Sequence, residues 1–325
     1  MIKGKILITG ATGLVGQSLV NYLLKEYRDI EILAVIRDEK KATKLFGRQN
    51  EKIKYIISDV RDIDTTKNYN IDYIVHAASQ TDSKSFVKDP VETIEIAYKG
   101  TKNLLDLARK NQVKSFVYLS SMEVYGTPKN DDKIYEDSGT NLNTMEVRSC
   151  YPESKRICES LCKSYSEEYG VPAKVIRLTQ TFGQGVQYDD NRVFAEFARC
   201  VIENRNIILK TKGETKRSYL HIDDAINAIL CVLENGKSGE AYNAANEESY
   251  CSIYEMAQML CEWYKQKNLH VMINETSNIL KYGYAETLHI NLDTSKLQKL
   301  GWKPTKSLRE MYNDLILSMR DSQHK

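Results

Sequence analysis

Short apolar runs without in/out alternation recur along the first 180 residues, separated by amphipathic stretches. Residues 5–9, 30–36, 53–58, 73–76, 116–119 and 174–178 read as strands. Runs of this kind suit strands buried on both faces. Residues 14–27, 91–110 and 151–169 read as helices, the last stopped by Gly170 with Pro172 just beyond. Such alternation predicts an α/β fold with a doubly wound parallel sheet and right-handed crossovers.

After residue 180 the pattern is less regular. Residues 191–203 and 223–233 read as helices, and the capping boxes Ser252-Ile253-Tyr254-Glu255 and Ser307-Leu308-Arg309-Glu310 each open another. The expected division is a dinucleotide-binding unit over 1–180, with 205–233 returning to it, and a smaller lobe mainly over 181–325. Residues 126–148 form a long polar stretch that reads either as a substrate flap or as a solvated insertion.

Composition narrows the function. Lys plus Arg is 46 against 44 Asp plus Glu, which leaves no excess of basic charge for a nucleic-acid partner. Apolar runs stay well below the ~18 residues of a membrane span. The chain enters its first strand without a signal-peptide pattern, so the expected location is the cytoplasm. Seven cysteines without a C-x-x-C predict reduced, mostly buried thiols, Cys158 and Cys162 among them. The five histidines lack paired ligand spacing, so no metal is expected.

Candidate chemistry starts at Thr9-Gly10-Ala11-Thr12-Gly13-Leu14-Val15-Gly16, the first strand–helix turn. Glycines let the backbone approach a pyrophosphate, and the helix start offers it free N–H groups. This is G-x-x-G-x-x-G rather than the commoner G-x-G-x-x-G, but its position points to a dinucleotide. Where an acid would hold the ribose of NAD, the second strand ends Arg37-Asp38. Arg37 leans the reading toward the 2′-phosphate of NADP; it is also compatible with adenine stacking or solvation, and Asp38 is within reach of a ribose. Asp59-Val60 and His76-Ala77-Ala78-Ser79 end the next strands, where a cofactor crevice runs or where strands simply stop.

Tyr151 and Lys155 are four apart at the start of a helix, on one face. A phenol titrates near ~10, and a neighbouring ammonium together with a cationic nicotinamide favours phenolate, making Tyr151 a candidate base. Ser121 follows the fifth strand, placed to hydrogen-bond the oxygen that is oxidised or reduced. Glu123 reads either as a second acid/base or as a cap of the next turn.

These motifs, with Arg217–Asp224 and Gly301-Trp302-Lys303-Pro304, resemble an extended short-chain dehydrogenase/reductase of the NAD-dependent epimerase/dehydratase family. The resemblance spans nearly the whole chain. It implies a Rossmann-type sheet with a C-terminal substrate-binding lobe, Ser121, Tyr151 and Lys155 as catalytic triad, and NAD or NADP as cofactor. It implies a nucleoside-diphosphate sugar as substrate, usually oxidised at C4, and a homodimer through four helices, here 91–110 and 151–169 from each subunit. Arg148 before the tyrosine and Arg192-Val193 are most similar to UDP-glucuronate decarboxylases, which also keep the acid matched by Glu123. By that resemblance Met122, Arg148, Gln180, Arg192 and Arg217 would line the substrate, the last two on its diphosphate. A guanidinium grips phosphate oxygens in two-pronged fashion, although either arginine also suits a surface ion pair.

Departures matter. Met122 stands where 4,6-dehydratases carry the Asp of an Asp-Glu pair and decarboxylases a Ser. Gln180, Phe182 and Gln184 replace the usual Asn, Tyr and Pro. The leading expectation is epimerisation or decarboxylation in polysaccharide-precursor supply. The alternatives are an NADPH-dependent reductase of a nucleotide-linked keto sugar or ketose and, in another class, a non-enzymatic dinucleotide sensor.

Overall fold

A computed structural model describes residues 2–47, 50–275 and 287–323. The chain opens with β1 (Gly4–Thr9), α1 (Leu14–Glu26), β2 (Ile30–Ile36), α2 (Glu39–Phe46), β3 (Ile53–Ile57) and β4 (Tyr73–His76). It continues with α3 (Ser83–Lys88), α4 (Pro90–Asn111), β5 (Ser115–Ser121), β6 (Lys133–Ile134), α5 (Cys150–Tyr169) and β7 (Ala173–Leu178). Then come β8 (Gln180–Phe182), α6 (Val193–Glu203), β9 (Ile207–Leu209), β10 (Lys216–His221), α7 (Ile222–Asn235) and β11 (Ala241–Ala244). The chain closes with β12 (Asn246–Ser252), α8 (Ile253–Trp263), β13 (Val271–Ile273), β14 (His289–Leu292), α9 (Ser295–Gln298) and α10 (Leu308–Gln323).

Seven parallel strands form the main sheet in the order β11-β7-β5-β4-β1-β2-β3. Each inner strand feeds both faces, as the two-residue period of a strand requires. Ile6 and Ile8 of β1 enter the layer with Leu19 and Leu23 of α1 and Ile226 and Ile229 of α7. Leu7 enters the opposite layer, with Leu104 and Leu105 of α4 and Cys158 and Cys162 of α5. Both thiols are buried, as the sequence suggested. Strand order reverses between β1 and β4, and that switch point opens a crevice at the strands' carboxyl ends.

The less regular second half contains strands that its sequence did not announce. β12, β10, β14 and β6 form a second sheet, with β8 also paired to β10, and β9 pairs β13. Of residues 205–233, β9 and β10 belong to these smaller sheets, while α7 packs on the large one. Both capping boxes form: Ser252 and Glu255 exchange bonds of 2.7 and 3.0 Å, and Ser307 and Glu310 bonds of 2.9 and 3.3 Å.

Residues 126–148 are largely exposed but anchored at several points. Asn141 bonds the Thr127 backbone in both directions, β6 pairs β14, and Asp131 receives Tyr250 Oη at 2.6 Å and Lys216 Nζ at 3.1 Å. Arg217–Asp224 and the Gly301–Pro304 turn are fastened together. The buried Asp224 carboxylate accepts from the Thr305 N–H, the Thr305 hydroxyl and the Lys306 N–H, and its carbonyl accepts the Trp302 indole N–H at 3.0 Å.

Candidate active site at the sheet switch point

The glycine turn stands between β1 and α1. Gly10 takes φ +64°, and a Cβ there would meet backbone atoms of Ala77 and Ala78 at 2.8 Å. A Cβ on Gly16 would lie 2.2 Å from the Gly10 carbonyl oxygen. Both glycines are therefore required for the close approach of turn, helix and β4. Gly13 caps α1 with no side chain, and no acidic residue lies in the first turn. Thr12, Leu14 and Val15 are half-buried around this helix start. Such a turn fits the pyrophosphate of a dinucleotide, because its positive helix end carries no counter-charge of its own.

Sequence reasoning missed how His76 braces this turn. The Ala78 N–H donates to Thr9 Oγ1 at 3.1 Å, and the same hydroxyl shares a hydrogen bond with His76 Nδ1 at 2.7 Å. On the other side of the ring, His76 Nε2 shares a hydrogen bond with Thr101 Oγ1 at 3.1 Å. Burial, reinforced by the Lys155 charge, holds the imidazole neutral, at about 3. Ala77, Ala78 and Ser79 continue half-buried along the crevice. At the far edge Arg37 is exposed, and Asp38 caps α2 by accepting the Lys41 N–H. Asp59 is ion-paired with Arg61 at 2.9 Å, which with the nearby Arg37 charge lowers its carboxyl. Val60 packs under Gly100 of α4.

Tyr151, Lys155 and Ser121 meet where α5 crosses the end of β5. The Lys155 ammonium is buried, donates to the Leu119 carbonyl at 2.7 Å, and lies 5.8 Å from the Tyr151 ring centre. Burial pulls it down to about 8. The sequence expectation for Tyr151 counted a cationic nicotinamide beside the ammonium; the protein's own groups, taken alone, raise the phenol. Burial first, then the Glu123 charge, pushes it up, while a hydrogen bond with Ser121 and the Arg148 charge pull it down. Burial therefore outweighs the Ser121 contact and the Arg148 charge.

Glu123 leaves β5 in a single 3-10 turn, where Ser121 Oγ accepts its N–H at 3.2 Å. Its carboxylate binds Arg148 at 2.9 and 3.4 Å, so its side chain pairs with a cation instead of capping the turn. Phe86, another residue without a sequence signal, stacks on Tyr151 with centroids 4.3 Å apart and planes 12° apart.

The residues expected at the substrate are spread more widely. Met122 is only 4% exposed, in an apolar cluster with Val124, Ile134 and Leu292, and its sulfur lies 3.2 Å from the Thr179 hydroxyl, which donates to the Ser218 carbonyl at 2.6 Å. Gln180 and Arg217 are half-buried on the paired strands β8 and β10. Arg192, just before α6, is held by Asp190 at 2.6 Å. No group of His, Cys, Asp and Glu suited to a metal occurs among the described residues. Nor is any described helix long and apolar enough to cross a membrane.

The sequence profile of the NAD dependent epimerase/dehydratase family matches residues 6–245. UDP-glucuronic acid decarboxylase 1 of Danio rerio is 26% identical over 314 residues, covering 97% of this chain and 72% of the relative. Human dTDP-D-glucose 4,6-dehydratase is 26% identical over 330 residues, covering 98% and 91%. The solved UDP-glucuronic acid 4-epimerase of Bacillus cereus in complex with NAD superposes with a TM-score of 0.80 at 22% identity, covering 98% and 99% of the two chains. The last likeness establishes the fold.

Proposed function

The chain belongs to the NAD-dependent epimerase/dehydratase family, and from that premise we propose that it modifies a nucleoside-diphosphate sugar by reversible hydride transfer. The observation that carries this reading is the meeting of Ser121, Tyr151 and Lys155 at the end of β5, beside the glycine turn. Gly10, Thr12, Gly13, Leu14, Val15 and Gly16 would hold the pyrophosphate, with Asp59 and Val60 at the adenine end and Ala77–Ser79 along the crevice. When bound, a nicotinamide supplies hydride acceptance and return at the sugar carbon. Tyr151 takes the proton of the sugar hydroxyl, and Ser121 orients that oxygen. Lys155 brings positive charge to the cofactor side of the phenol.

Epimerisation and decarboxylation both fit a site that recycles its hydride. Dehydration needs an acid beside Glu123. Met122 has no proton to give, and its sulfur is buried against Thr179. The intact Tyr151–Lys155 pair argues against a dinucleotide sensor. On the cofactor, the family reading favours NAD. The exposed Arg37 supports NADP with net reduction of a keto sugar as the second reading, in which Arg37→Ala weakens NADP binding and spares NAD. Val91, Ile94 and Tyr98 of α4 and Ile157 of α5 are exposed, an apolar stripe suited to a four-helix homodimer.

Mass spectrometry together with proton NMR of the products from UDP- and dTDP-sugars tests the proposal, the first reading mass and the second the configuration at the sugar carbon. Loss of CO2 or an unchanged mass with inverted stereochemistry is expected. Loss of water overturns the argument from Met122, and inertness toward every sugar overturns the substrate class.

A further inference from the structure

The last three residues of β5 each face one residue of α5. Lys155 donates to the Leu119 carbonyl at 2.7 Å, Ser120 donates its hydroxyl to Glu159 Oε1 at 2.5 Å, and Tyr151 comes up beside Ser121, whose hydroxyl lowers the phenol. Residues 151, 155 and 159 are four apart and make one stripe of the helix. From β7, Arg177 binds the same Glu159 through Nε at 3.0 and 3.2 Å and Nη2 at 2.6 Å. Its remaining Nη1 reaches the Tyr125 hydroxyl and the Glu136 carbonyl, both at 2.7 Å. Tyr125 in turn donates to Asn243 Oδ1 at 2.6 Å, in β11.

We propose that Glu159, held by Arg177, is a positioning residue: it sets the register of α5 on β5 and supplies the counter-charge to the Lys155 ammonium. This deepens, and rests on, the hydride-transfer reading above. Both side chains of the pair are only 13% exposed. A pair that deep seldom adds net stability over apolar residues of the same shape, so stability alone does not account for it. Its directional bonds, by contrast, tie α5 to Ser120, the neighbour of Ser121 on the same strand.

The counter-charge follows from the surroundings of Lys155. Its titratable neighbours are Tyr151, Cys158, Glu159 and Cys162 on its own helix, Tyr118 on β5 with its ring centre 4.8 Å from the ammonium, and His76 on β4. Burial pushes both thiols and the Tyr118 phenol up, so they stay protonated, and it keeps His76 neutral. Among these groups Glu159 is the anion. Burial pulls the lysine down, and Glu159 works against it.

A lysine side-chain NMR titration of the full chain without dinucleotide reads this charge directly. Lys155 and Lys174 are both held at about 8, so a Lys174→Arg background isolates Lys155. Glu159→Gln is expected to lower the Lys155 midpoint by about one pH unit. Glu159→Asp keeps it in place. The double variant Glu159→Met/Arg177→Met replaces the pair by apolar volume, a change such sites tolerate; it removes one anion and one cation together, so it lowers the midpoint by less than Glu159→Gln, which leaves Arg177 uncompensated. A purely structural pair predicts the reverse, because loosening α5 admits water and lets the lysine rise toward its ordinary value. Midpoints that rise, or that stay fixed in all three variants, overturn the proposal. Failure of the unaltered chain to bind NAD or NADP overturns the functional reading instead, on which this titration does not depend.

Discussion

Arg148→Met leaves the Glu123 carboxylate without its cation beside a buried phenol. The lost interaction is two-pronged, at 2.9 and 3.4 Å, and the two side chains are 27% and 24% exposed. Unpairing a fully buried charge costs about 3–5 kcal/mol, whereas an exposed pair is worth less than about 1 kcal/mol. Partial exposure places this one between, at about 1–2 kcal/mol. The Phe86 ring, 5.9 Å from the guanidinium, adds little at that range. A double-mutant cycle of Glu123→Gln and Arg148→Met, read by chemical denaturation, should return a coupling of that size, with part of the loss recovered in the double variant. The same cycle predicts opposite pH effects on catalysis. Glu123 raises the Tyr151 phenol and Arg148 lowers it. A base acts deprotonated, so the acidic limb of kcat/KM follows the phenol. Arg148→Met moves that limb to higher pH and Glu123→Gln to lower pH. Coupling below about 0.3 kcal/mol, which is plain additivity, or limbs that move together would refute the reasoning.

Three further outcomes are expected. Gly16→Ala drives a methyl to 2.2 Å from a backbone oxygen, so it should lower stability by about 1–3 kcal/mol and abolish dinucleotide binding; calorimetry that finds both unchanged removes the tight-turn argument. The unfolded chain protonates His76 near 6.5, whereas the folded chain resists down to about 3, so stability is full above that window and falls with pH inside it, by at most about 1.4 kcal/mol per pH unit. His76→Gln should flatten the fall in acid denaturation curves, and an unchanged slope excludes the histidine as its source. Val91→Glu with Ile94→Glu should turn a dimer into a monomer in analytical ultracentrifugation, whereas a dimer that survives both charges is built on another face.

Much of the fold was legible because the first 180 residues obey simple periods. Buried parallel strands read as unbroken apolar runs, and helices of 13 to 22 residues show a clear apolar face. The six residues of α3 carry too little periodicity to be seen. The second sheet was missed because its strands are short and partly polar; Lys133–Ile134 is one of them. Strand β11, Ala-Tyr-Asn-Ala, hides a fully buried Asn243 whose amide binds the Ile134 and Asp293 carbonyls.

The site divides the same way. Ser121, Tyr151 and Lys155 were legible because strand end and helical spacing are local features. Phe86 on Tyr151, Thr9 on His76 and Arg177 on Glu159 join residues from different elements. No local pattern marks them. The burial of the phenol was hidden for a related reason: spacing placed an ammonium near Tyr151 but did not reveal the groups that enclose the ring.

The central claim is that Tyr151 removes a sugar proton while a nicotinamide takes the hydride. The direct measurement is absorbance of reduced nicotinamide after rapid mixing of NAD-loaded protein with UDP-glucuronate or UDP-glucose, in the unaltered chain and in Tyr151→Phe. The account predicts a transient rise in the unaltered chain, slowed by about 100-fold or more in the variant, which still binds dinucleotide. An equal rise in both, or none in either with the dinucleotide bound, would contradict it.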